Sequence, residues 1–263
     1  MASRSMWKGR ISFGLVNIPA KVYLATENRE LSFNQLCPNG HRIQYKKWCP
    51  INEKEIGYAD VKNGYQVSKD TYIAIDKKDI ENIKLKTTTT IDVKEFIEAK
   101  ELDPILIERS YYVAPDTKRG SVDKAYSLLV RILGETNKIA IGKVVFKDKE
   151  HAVALRAYQR GIVMHILHYL EEIRPVDEIE GFTDAQKIKT DNKEELSLGK
   201  LLVENLSSKH FDMSKYSDSY TKELKKLVEA KSKGKTYAKP VVKEKEGTKD
   251  LVAAAASLQK TKK

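Results

Sequence analysis

Trp7-Lys8-Gly9-Arg10-Ile11-Ser12-Phe13-Gly14-Leu15-Val16-Asn17-Ile18-Pro19 is the stretch whose pattern decides the fold. Ile11, Phe13 and Leu15 alternate with small or polar residues, the period-two signature of a strand with one face on a core. Asn17-Ile18-Pro19 reads as a break in that run, because proline has no N–H for a ladder. Val22-Tyr23-Leu24 then reads as the next strand.

Outward from this stretch the same texture continues to about residue 170. Tyr72–Ile75, Thr88–Ile97, Ile105–Val113, Ile139–Phe146 and Ile162–His168 are short and rich in β-formers. Ile91, Val93 and Ile97 share one parity, as do Ile139, Ile141 and Val145. Such alternation predicts sheets with one wet face, and many short strands predict a barrel or sandwich. One helix interrupts them: Val122, Ala125, Tyr126, Leu129, Ile132 and Leu133 follow three–four spacing until Gly134.

Beyond Pro175 the pattern turns helical. Asp191, with Glu194 three residues on, resembles a capping box. Leu198, Leu201, Leu202, Asn205 and Leu206 line one helix face, and Tyr216, Tyr220, Leu224, Leu227 and Val228 line another. These apolar stripes need a cover, either the barrel or a second subunit. From Lys231 onward no ordered structure is expected, since ten lysines face three acids there. Leu251–Leu258, with four alanines, could make only a short helix.

The 263 residues are 41% hydrophobic and 32% charged, with a net charge of +11. The apolar share can fill a core, and the charge suits a polyanionic partner, nucleic acid or anionic membrane. No apolar run is long enough to span a bilayer, and Met1–Arg10 lacks a secretory pattern. Two cysteines, Cys37 and Cys49, make no disulfide framework, so a cytoplasmic setting is expected.

Catalytic signatures are scarce. Gly142-Lys143 is followed by Val144 and lacks the upstream glycine of a phosphate-binding loop; no G-x-S-x-G or H-E-x-x-H occurs. Pro115-Asp116 with Asp191-Asn192-Lys193 loosely matches a metal-dependent nuclease, but Asp191 serves better as a helix cap. Cys37, His41 and Cys49 offer three zinc ligands where a structural site takes four, and Asn52 stands where a knuckle would place its second cysteine. The preferred reading is a metal-free loop held by Ile43, Tyr45 and Trp48. His165 and His168, three apart on a strand, point to opposite faces and cannot easily share a metal; they and His151 read as packing or surface residues. Arg42, Tyr45, Lys46 and Lys47 form a basic, extended ribbon that could follow a phosphate backbone.

Taken in order, several segments carry a family resemblance. Met6–Pro19 resembles the opening signature of prokaryotic Ku proteins, and Lys21-Val22-Tyr23, Phe33-Asn34-Gln35-Leu36 and Arg42–Lys47 continue it. Asp103-Pro104-Ile105, Tyr111–Asp116, Lys124-Ala125-Tyr126, Glu150-His151 and Phe211–Tyr220 are similar to the later motifs, so the likeness spans roughly residues 6–234. The resemblance implies a mainly β fold with α elements: a Ku-like β-barrel with a bridging loop region, a C-terminal helical arm and a flexible tail. The corresponding divisions are 1–185, 186–232 and 233–263.

It also implies a homodimeric ring that threads onto double-stranded DNA ends without reading sequence. Such a ring recruits an ATP-dependent DNA ligase for non-homologous end joining, with no cofactor and no catalysis of its own. Family members often carry a C-x-x-C knuckle after the basic ribbon, where this chain has only Cys49. On this reading Lys8, Arg10, Arg42, Lys46, Lys47 and Lys62 line the ring, and Lys231, Lys233 and Lys235 add diffuse attraction. Leu198, Leu201, Leu202, Leu206, Tyr216, Tyr220, Leu224 and Leu227 join the subunits. The expected place is the cytoplasm, at the nucleoid. The alternatives are a metal-dependent end-processing nuclease and a nucleoid protein without end preference.

Overall fold

Gly14 sets the first hairpin. Its φ of +55° suits the first central position of a two-residue II′-type turn, whose twist matches the flanking strands. It joins β1 (Trp7–Phe13) to β2 (Val16–Leu24), with Phe13 opposite Val16 and Trp7 opposite Val22. The expected break at Asn17-Ile18-Pro19 is therefore wrong, since these residues lie inside β2. Pro19 is tolerated because it faces Arg10, whose N–H goes instead to Thr89 O on the other side at 3.0 Å. No β1–β2 ladder bond is required at that pair.

The computed structural model describes residues 4–76, 78–80, 89–117, 124–146, 149–188 and 192–237. After β2 come two small hairpins: β3 (Trp48–Cys49) with β4 (Lys54–Glu55), and β5 (Asn63–Ser68) with β6 (Thr71–Ile75). Then follow β7 (Thr90–Glu98), β8 (Ile107–Pro115), helix α1 (Lys124–Thr136), β9 (Lys138–Phe146), β10 (Lys149–Tyr158) and β11 (Gly161–Leu167). Seven strands close a barrel in the order β1-β2-β8-β11-β10-β9-β7, sealed where β7 runs parallel to β1.

Inside sit Ile11, Ile18, Val22, Ile91, Val113, Leu155, Ile162 and Met164, none more than 2% exposed. Tyr126, Leu129 and Leu133 of α1 join this interior core, as the three–four spacing predicts. Ile132 does not; it stays 45% exposed. The Tyr126 hydroxyl donates to Val113 O at 2.5 Å and accepts from Ile162 N at 3.1 Å, tying the helix to the barrel.

The expected wet outer face is only partly found. A second cluster of Ile139, Ala154 and Leu167 lies on the outer wall, packed by Ala99, Leu102 and Leu106 from the segment between β7 and β8. Consequently β9 and β11 are buried on both faces over most of their length. The shared parity of Ile91, Val93 and Ile97 also misleads. A register shift between Val93 and Glu95 moves Ile97 from the interior set to the outer cluster. Gly142 stands at that bulge, where a Cβ would come within 2.4 Å of Asp92 O.

A second compact unit takes Arg29–Phe33 and the described residues from Pro175 onward. It holds α2 (Phe182–Lys187), α3 (Lys193–Leu206) and α4 (Ser219–Ser232). The cap of α3 is Asn192, whose side chain accepts from Glu194 N and Glu195 N; the expected cap, Asp191, lies outside the described residues. Asp218 caps α4 through Thr221 N at 3.0 Å. Order does not end at Lys231 as expected. Helix α4 runs through it, Lys235 N returns to Ala230 O at 2.9 Å, and the Tyr237 hydroxyl donates to Glu223. Gly234, at φ +65°, permits that closing turn. The remaining tail, 238–263, lies outside the described residues.

Candidate nucleic-acid interface

Antiparallel pairing puts directly opposed side chains on the same face. Since Val22 and Val113 point inward, their neighbours Lys21 and Ala114 point outward, and Lys8 stands opposite Lys21. Asp116, just past β8, completes the group. Its carboxylate lies 2.6 Å from Lys21 Nζ and 3.2 Å from Lys8 Nζ, with only 5% of its side chain exposed. The Lys21 ammonium, reinforced by Lys8, outweighs burial and holds the Asp116 carboxyl below the usual carboxylate range. Lys21 is correspondingly raised, chiefly by its contact with Asp116. Around this group a concavity of about 410 Å³ is lined by Lys8, Arg10, Asn17 and Asp116. Gly9 brings the backbone close there, since a Cβ would meet Thr89 O at 2.2 Å.

Lys21, not singled out from the sequence, joins Lys8 on this face. Its partnership with Lys8 follows from the Gly14-Leu15 turn, the one local signal that could have revealed it. Asp116, offered above as a nuclease ligand, is instead occupied by two ammonium groups.

Arg42, Lys46, Lys47 and Lys62 lie on the segment between β2 and β6. Arg42 forms an isolated bridge with Leu36, closing a tight turn in which Cys37 N donates to His41 O at 2.9 Å. Lys46 pairs with Glu55 at 2.7 Å, and Lys47 lies 4.2 Å from the centre of the Tyr58 ring. Lys62 borders a separate concavity with Asn63, Asp76 and Lys78. Among the described residues Arg10, Arg42 and Lys62 have no carboxylate partner. In the second unit Lys231 lies in the last turn of α4 and Lys233 pairs with Glu229 at 2.5 Å.

The loop carrying the cysteines is not held by apolar packing, as expected from Ile43, Tyr45 and Trp48. These side chains are 41%, 73% and 61% exposed. Backbone bonds hold it, including Ile43 N to Gln35 O at 3.1 Å and Ile56 N to Lys47 O at 2.8 Å. Among the described residues no three His, Cys, Asp or Glu side chains gather as metal ligands.

His165 is a packing residue of an unusual kind, 5% exposed on the outer wall. Its Nδ1 lies 2.8 Å from Ser110 Oγ, and Arg156 Nε donates to its Nε2 at 3.0 Å. Nε2 is thus unprotonated, and the ring proton sits on Nδ1, facing the serine. Burial, then the Arg156 charge, pushes the imidazole below its ordinary pKa.

The sequence that builds this barrel matches a known class of barrel domain. The family model described as the Ku70/Ku80 beta-barrel domain matches residues 12–198. A protein of Archaeoglobus fulgidus named Non-homologous end joining protein Ku is 41% identical over 233 residues, covering 88% of this chain and 89% of that protein. A protein of the same name from Desulfitobacterium hafniense is 35% identical over 252 residues, covering 95% and 85%. Another from Bacillus subtilis is 34% identical over 264 residues, covering 98% and 83%. The chain belongs to the Ku family.

Proposed function

We propose that this chain is a homodimeric, ring-shaped clamp that binds double-stranded DNA ends without sequence specificity. In this role it recruits an ATP-dependent DNA ligase for non-homologous end joining and performs no catalytic step itself. The observation that carries the reading is the cationic outer wall of Lys8, Arg10 and Lys21, set on rigid β1 and β2. Cations fixed on strands contact phosphates, which carry no base information. A ring supplies end selectivity by topology, because closed DNA offers no entry. The helical unit supports the dimer: α3 and α4 contain no buried residue in the single chain, and Leu201, Leu206, Tyr216 and Tyr220 are 39%, 75%, 65% and 73% exposed.

The test uses Arg10, Arg42 and Lys62, whose removal orphans no carboxylate among the described residues. R10A/R42A/K62A should weaken duplex binding at least about tenfold. It should also reduce the slope of log affinity against log salt by roughly two to three, about 0.9 per lost phosphate contact. An unchanged affinity and slope would overturn the assignment of these cations.

A further inference from the structure

We propose that the outer wall at Tyr112 and Tyr158 is a stacking site for an unpaired nucleotide of a DNA strand at the end being held. This rests on the DNA-end reading above and adds a second ligand feature to it. Cross-strand register places the site. Tyr112 is opposite Tyr23 on β2 and Val163 on β11, and Val163 is opposite Arg156 on β10. Tyr158 shares the parity of Arg156. All point outward, on the same wall as Lys8 and Lys21. Ala114, opposite Lys21, is two residues from Tyr112, roughly 7 Å along the strand. A strand leaving the lysine group therefore reaches the tyrosines within about one nucleotide.

The chemistry at this point suits a nucleotide. The Tyr112 and Tyr158 rings lie 6.2 Å apart at 25° and are 42% and 38% exposed, an open aromatic surface. They border a concavity of about 470 Å³ with Gln159 and Arg160, within the ~300–1,000 Å³ span of small-ligand sites. The Arg156 guanidinium carbon lies 5.3 Å from the Tyr158 ring centre. Neither Arg156 nor Arg160 has a carboxylate partner among the described residues, whereas Lys8, Lys21, Lys46 and Lys143 each have one. A phosphate would supply the missing anion, and a base would cover the rings.

Arg156 is also held in place: Ser110 orients His165, and His165 Nε2 accepts from the Arg156 Nε. That bond uses one guanidinium nitrogen and leaves two for a ligand. His165 and Ser110 are positioning residues here.

The experiment uses the full chain and a hairpin duplex whose single open end is either blunt or extended by a few thymidines. One unpaired position carries 5-iodouracil. Irradiation should cross-link it to peptides containing Tyr112 or Tyr158. The preference for the extended end over the blunt one should fall roughly tenfold in both Y158S and R160S, with blunt-end affinity kept within about twofold. Blunt-end binding without cross-links at either tyrosine, or an end preference indifferent to both variants, would overturn the stacking site alone. Failure to bind either duplex would overturn the DNA-end reading and the site together. Tyrosines protected only when the ligase is added would make the wall a protein-docking face and also overturn the proposal.

Discussion

The barrel and the helical unit treat their apolar residues in opposite ways. In the barrel Ile11, Ile18, Val22, Ile91 and Met164 are fully buried, and α1 adds Leu129 and Leu133 to the same core. In the helical unit α3 and α4 are amphipathic and well capped, yet no residue of either is buried. One unit completes its own core. The other leaves apolar side chains such as Leu206 and Tyr220 exposed, 75% and 73%. The barrel thus holds Lys8, Arg10 and Lys21 in fixed register, while the helices leave their apolar faces uncovered in the single chain.

That contrast can be broken most forcefully at the helices. Leu202 and Leu227 are half-exposed, and L202D/L227D would set carboxylates into an apolar interface at a cost of several kcal/mol. If the proposed dimer forms through these helices, light scattering should report dimers for the wild type and monomers for the variant, with the barrel's far-ultraviolet signal kept. A dimeric variant would place the interface elsewhere. Next in size is the barrel. Leu155→Ala should lower its unfolding free energy by about 2–5 kcal/mol in chemical denaturation, without changing subunit association. Coupled loss of both would mean that the two units do not behave separately.

A smaller effect sharpens the electrostatic side. His165 has its pKa lowered in the folded protein, first by burial and then by Arg156. Its stabilising contribution is therefore complete above the unfolded value near 6.5. It declines as pH falls through that value towards the folded one, because the unfolded chain takes the proton first. Denaturation of wild type against His165→Gln should show the wild type's advantage shrinking between pH 7.5 and pH 5. A difference independent of pH would contradict the neutral, buried imidazole.

Much of the barrel was legible because strand alternation is local. The run through Ile11 and Phe13, and the α1 stripe of Tyr126, Leu129 and Leu133, read correctly for that reason, whereas Leu15, expected in the same run, is a fully exposed turn residue. Pro19 did not, since its tolerance depends on which side Arg10 directs its N–H. Ile97 did not, because the register shift beyond Val93 inverts the parity. Strand β10 went unread because Lys149, His151, Ala152 and Arg156 dilute the pattern of Val153 and Leu155. The family motifs carried the fold, while the site depended on long-range register. Nothing near Lys21 announces Asp116, nor anything near Tyr112 announces Arg156. Those neighbours are set by β2 pairing with β8 and by β10 and β8 both pairing with β11.

The central claim is that DNA enters the protein by an end. It is tested most directly with one duplex sequence prepared as an open linear molecule and as a covalently closed circle, bound at moderate salt. The account predicts tight binding to the linear form and, at the same protein concentration, only weak, salt-sensitive attraction to the circle. Cutting the circle once should restore full binding, and sealing a bound linear molecule should trap the protein on it. Equal affinity for the linear and closed forms would contradict the clamp and leave a general phosphate-binding protein in its place.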